Sequence, residues 1–132
     1  MDEELIKNHD FLMQARNFKG LQFGSIYPTD IDGLIEYKDK CFIFIETKHK
    51  ESELPFGQRL ALERLCVATQ KSGKESVLFV SRHDCKGDID LANTIVTDFY
   101  YKNKWYQEKT KATLYQMIDR FIKKVDSVEI SI

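Results

Sequence analysis

Apolar positions recur along this chain with two different periods, and the changes of period mark its elements. Near the N-terminus Leu5, Ile6, Leu12 and Met13 fall on one stripe of a 3.6-residue repeat. That stripe predicts a helix over residues 2–18, with Asp2, Glu3 and Glu4 in the first turn where the helix dipole favours negative charge. From 31 to 37 and from 41 to 48 the pattern turns strand-like, and CFIFIETK is dense in aromatic and β-branched residues. Only Lys38, Asp39 and Lys40 separate the two runs, which predicts a β-hairpin. After a polar break containing Pro55, residues 58–70 return to helical spacing, with Leu62, Leu65, Cys66 and Thr69 on one face and Ser72-Gly73 as the stop. The apolar run 76–81 predicts a short buried strand, 84–90 a polar loop and 94–101 another strand. Leu114, Met117, Ile118, Phe121, Ile122 and Val125 then form the clearest helical stripe, with Thr110 or Thr113 as its cap.

The predicted order is α, ββ(β), α, β, β, α, which makes one α/β domain over residues 1–132. Composition supports a single core: of 132 residues, 42% are hydrophobic and 31% charged. The formal charge of −1 excludes a uniformly basic nucleic-acid coat and leaves only local basic patches. Cys41, Cys66 and Cys85 are odd in number and lack CxxC spacing, which predicts reduced thiols and a cytoplasmic location. The acidic N-terminus has no apolar stretch of signal-peptide type, and no run approaches the roughly 20 apolar residues of a membrane span. A membrane is therefore not among the expected partners.

The chemistry concentrates between Tyr27 and Lys48. Glu46-Thr47-Lys48 ends an apolar strand, and residues two apart on a strand share a face, so Glu46 and Lys48 point the same way. If the 38–40 loop sets Tyr37 opposite Cys41, the same register carries Asp32 opposite Glu46 and Asp30 opposite Lys48. A one-residue slip would send Asp32 and Glu46 to opposite faces. Opposed carboxylates destabilise a sheet unless something neutralises them. A hard divalent cation such as Mg²⁺ does so through one or two carboxylates while retaining waters. A neighbouring lysine adds a positive donor for a phosphate oxygen or the attacking water, which together equips a site for metal-assisted phosphodiester hydrolysis.

Asp32 (or Asp30), Glu46-Thr47-Lys48 and a following helix near Gln58 resemble the PD-(D/E)xK nuclease superfamily, whose members include restriction endonucleases, Holliday junction resolvases and phage recombination nucleases. The resemblance covers residues 2–81, and the stretch Pro28-Thr29-Asp30-Ile31-Asp32-Gly33 strengthens it, although no literal Pro-Asp dipeptide occurs. It implies a restriction-endonuclease-like αβββαβ core with a mixed central sheet flanked by helices. It also implies a Mg²⁺-dependent deoxyribonuclease, with Mn²⁺ substituting. Asp32 and Glu46 would hold the metal with the main-chain carbonyl of Thr47, and Lys48 would position the water or stabilise the transition state. Asp30 would be a second acid or a partner to Lys48. Gln58 resembles the glutamine that several of these families place near the scissile phosphate, with Glu63 a weaker candidate on the same helix.

Other features have plainer readings beside the functional ones. Lys48-His49-Lys50 either grips phosphates outside the site or is an exposed strand end. His83 and Cys85 have no second pair, so they read as structural rather than as a metal site. Between 99 and 125, Lys102, Lys104, Lys109, Lys111, Arg120, Lys123 and Lys124 face only Glu108 and Asp119, with Tyr100, Tyr101, Trp105 and Tyr106 interleaved. That composition suits DNA binding, while its plainer reading is core aromatics under solvated lysines. The aromatic cluster is also a candidate contact for a homodimer, since many small nucleases of this superfamily pair to cut two strands. The competing function is a non-catalytic module that binds nucleic acid or protein on the same fold.

Overall fold

The computed structural model describes residues 17–130, so the helix expected over 2–18 lies outside the described residues except for Asn17 and Phe18, which are not helical. The hairpin forms in the predicted register: β1 (Gly33–Tyr37) runs antiparallel to β2 (Cys41–His49) with Tyr37 opposite Cys41 and Gly33 opposite Ile45. Its turn contains no glycine. Lys38 and Asp39 adopt left-handed φ of 48° and 61°, and the Asp39 N–H donates to Glu36 Oε2 at 2.6 Å.

Next come α1 (Phe56–Lys71), β3 (Glu75–His83), β4 (Ile95–Tyr101), β5 (Lys104–Gln107) and α2 (Leu114–Ile130). The five strands form one mixed sheet in the order β1-β2-β3-β4-β5; β2 and β3 are parallel and every other neighbouring pair is antiparallel. The described residues thus form a single small α/β domain with two helices. Two strands precede α1 and three follow it, whereas the αβββαβ expectation put three before it. The strand expected over 94–101 extends through a two-residue turn, Lys102-Asn103 with φ of 49° and 66°, into β5. These left-handed values at both turn positions match the twist of the flanking strands.

Strand alternation divides the core between the two helices. On one face Cys41, Ile43, Ile45, Val77, Phe79 and Val96 pack against Leu114, Met117, Phe121 and Val125 of α2. On the other, Phe44, Leu78 and Tyr100 pack against Leu62 and Cys66 of α1. Leu65, expected on that buried face, is exposed, because the contact is a narrow stripe one turn long. Thr113, one of the two candidate caps, starts α2: its Oγ1 accepts from the Gln116 N–H at 3.2 Å, and Gln116 Oε1 accepts from the Thr113 N–H at 3.0 Å. Covered on both faces, β2 is buried from Ile43 to Glu46, and this carries a carboxylate into the interior. No helix among the described residues is long and apolar enough to cross a membrane.

Candidate active site

The regular β1–β2 ladder stops at Gly33, two residues later than predicted, and the chain bends at Asp32. Side-chain bonds replace the next rungs. The Asp32 N–H donates to Glu46 Oε1 at 3.3 Å, and the Thr47 N–H donates to Asp32 Oδ2 at 2.8 Å. Asp32 and Glu46 are therefore held opposite each other as the register required. Their environments differ sharply, since Asp32 is exposed while Glu46 is only 1% exposed.

Glu46 lies on the α1 face of the sheet, where the first turn of that helix meets it. Gln58 Nε2 donates to Glu46 Oε2 at 3.1 Å and to the Asp30 carbonyl at 2.9 Å, while Gln58 Oε1 accepts from Lys48 Nζ at 3.4 Å. One amide thus ties Glu46, Lys48 and the 30–32 segment together. Asp30 enters through its carbonyl, and the Lys48 ammonium bonds Gln58 rather than the Asp30 carboxylate. Glu63 is turned to the far side of α1, where it accepts from Trp105 Nε1 at 3.4 Å and pairs with Arg59 at 3.9 Å.

Burial first, and the Asp32 charge after it, push the Glu46 carboxyl up from 4.5 to about 7. The Asp32 N–H and the Lys48 ammonium oppose that rise without cancelling it. Two acids in contact with incomplete neutralisation form a site that gains from added positive charge. Among the described residues no group of three or more His, Cys, Asp or Glu is clustered to hold a metal. The donor set is instead two carboxylates plus main chain, which fits Mg²⁺ because that ion is held by one or two carboxylates and keeps several waters. Thr47 turns its N–H toward Asp32, and in an extended strand its carbonyl faces the same edge.

Two supports carried no recognisable sequence signal. Thr47 Oγ1 lies 3.0 Å from Ser81 Oγ, which in turn lies 2.8 Å from Thr94 Oγ1, so a chain of hydroxyls backs the strand end. Arg82, the in-register neighbour of Lys48 on β3, donates to the carbonyls of Lys50 at 2.9 Å and Ser52 at 2.5 Å. It thereby fixes the loop that delivers Gln58. Only the parallel β2–β3 pairing brings Arg82 and Ser81 to this end of the sheet.

The remaining candidates mostly take their plainer reading. His49 and His83 meet edge to face at 5.2 Å, and His83 Nδ1 accepts from the Cys85 N–H at 3.2 Å. Tyr100 packs against Trp105 at 5.3 Å, Tyr101 against Phe121 at 5.8 Å, and Tyr106 stacks on Phe99 at 5.1 Å. Lys102, Lys104 and Lys124 lie over these tyrosine rings. These four aromatics of the C-terminal third are thus engaged within the fold. No protein-family model, curated protein or solved structure matches the chain.

Proposed function

We propose that this chain is a metal-dependent nuclease that hydrolyses phosphodiester bonds in DNA on a restriction-endonuclease-like core. The observation that carries the reading is the buried Glu46 carboxylate, opposed by Asp32 and bridged through Gln58 to Lys48 at the end of β2. An ordinary surface salt bridge has no need of a desolvated carboxylate facing a second one.

Asp32, Glu46 and the Thr47 carbonyl would hold Mg²⁺, or Mn²⁺ in its place. When bound, the ion supplies an activated water and offsets charge on the phosphate and leaving oxygen. Lys48 contributes a fixed positive donor for a phosphate oxygen or the attacking water, and Gln58 keeps that ammonium beside Glu46. Burial of Glu46 excludes bulk water from its side of the site, and bonds from the Asp32 N–H and Gln58 hold the acid in place.

The test incubates linear, circular and branched DNA with Mg²⁺ or Mn²⁺, using the unmodified chain, Glu46→Ala and Lys48→Ala. Divalent-dependent cleavage that both substitutions abolish is expected. Cleavage indifferent to them would overturn the site assignment. Failure to cut any of the substrates would overturn the enzyme reading in favour of a binding module.

A further inference from the structure

A cleft of about 650 Å³ opens beside the carboxylate site, between residues 25–30 and the first turns of α1. Its wall shares Asp30 and Gln58 with that site, so the amide that bonds Glu46 Oε2 also closes one end of the cleft. The other wall is a preformed turn. Phe23 and Ile26 exchange reciprocal N–H···O bonds of 3.0 Å, with Gly24 at the first central position and φ of +64°, where a side chain would be strained. Pro28 follows and stiffens the approach to Asp30.

Two side chains lining this cleft lack internal work. Tyr27 is 59% exposed, and neither its hydroxyl nor its ring has a partner among the described residues. Arg64, on the α1 side, is exposed and pairs with no carboxylate among the described residues. The tyrosines of β4 and β5, by contrast, pack against other rings. A ligand that offers a flat π face to Tyr27 and an anion to Arg64 matches both. Its volume also suits one small organic group.

We infer that this cleft is a subsite for an unpaired nucleotide next to the reacting phosphate, with its base stacked on Tyr27 and its phosphate on Arg64. The inference deepens the nuclease reading and rests on it for the position of that phosphate. A base inside a duplex has both faces covered by its neighbours and cannot present one to Tyr27. The substrate is then single-stranded DNA or an opened strand end. Stacking of this kind tolerates any base, because every base has a π face.

Fluorescence anisotropy with the full chain in EDTA tests the cleft without any cutting, using a labelled oligothymidylate and a blunt duplex of equal length. The single strand should bind more tightly. Tyr27→Ala should weaken that binding about tenfold, and Tyr27→Phe should retain it because the ring rather than the hydroxyl is used. Arg64→Ala should lower the salt dependence of binding by about one phosphate contact. Unchanged single-strand affinity in a folded Tyr27→Ala, or a duplex bound as tightly as the single strand, would overturn the subsite. The two readings fail separately. Tyr27-dependent binding without cleavage keeps the cleft and removes the nuclease; Glu46-dependent cleavage indifferent to Tyr27→Ala does the reverse.

Discussion

Replacing Glu46 by Gln in the metal-free protein should change how stability depends on pH. The Glu46 carboxyl, at about 7 in the folded chain against 4.5 as an ordinary acid, holds its proton more tightly folded than unfolded. A raised carboxyl contributes stability that is fully present below the unfolded value and lost as pH rises through the folded one. Each tenfold difference in proton affinity is worth about 1.4 kcal/mol, so the unmodified protein should lose about 2–3 kcal/mol between pH 5 and pH 8.5 through this one group. The 1% exposure of the side chain is consistent with the cost being one of desolvation.

Gln keeps the shape but cannot ionise. Any cost from fitting an amide between the Asp32 N–H and Gln58 Nε2 applies equally at both pH values, so the readout is the difference between them. Every other ionisable group is present in both proteins and cancels in the comparison. Urea unfolding at the two pH values should show the fall for the unmodified protein and a nearly flat response for Glu46→Gln. Adding Mg²⁺ at pH 8.5 should restore the unmodified protein and leave the variant unchanged, since a ligand stabilises the state it binds. Parallel losses in the two proteins would refute the argument that a buried, under-neutralised charge sits at this position.

Two further predictions concern the frame that holds the site. Thr113→Ala removes one half of the reciprocal cap at the start of α2 and should cost about 1 kcal/mol, read as a lower urea midpoint with an unchanged slope. Burial holds the thiols of Cys41 and Cys66 at about 11, whereas Cys85 is exposed, so a thiol reagent at pH 8 should modify Cys85 promptly and the other two only on unfolding. Rapid modification of all three in the folded protein would contradict the described core.

Much of the frame was legible because local patterns and tertiary demands agree. The stripe from Leu114 to Val125 is helical by spacing and packs as such, and CFIFIETK is a hairpin strand by composition and forms one in β2. The β1–β2 register followed from a three-residue link even though that link lacks glycine, because Lys38 and Asp39 take up the left-handed conformation themselves. The four-residue β5 was hidden by its shortness and by a turn whose one cue, Asn103, lacks the following glycine that marks such turns. Leu65 looked like core by spacing, but α1 touches the sheet mainly through Leu62 and Cys66.

For the site, the division is sharper. Period-two alternation and hairpin register by themselves determined that Glu46 and Lys48 share a face and that Asp32 comes opposite Glu46, because both are properties of one local ladder. The rest needed the tertiary structure. Parallel pairing with β3 brought Arg82 and Ser81 to the strand end, and the seat of α1 on the even-numbered face set Gln58 between Glu46 and Lys48. Covering of the sheet on both sides drove the carboxyl of Glu46 far from its ordinary behaviour while Asp32, directly opposite, stayed in solvent. Desolvation depends on everything packed around a group, which no spacing along the chain can express.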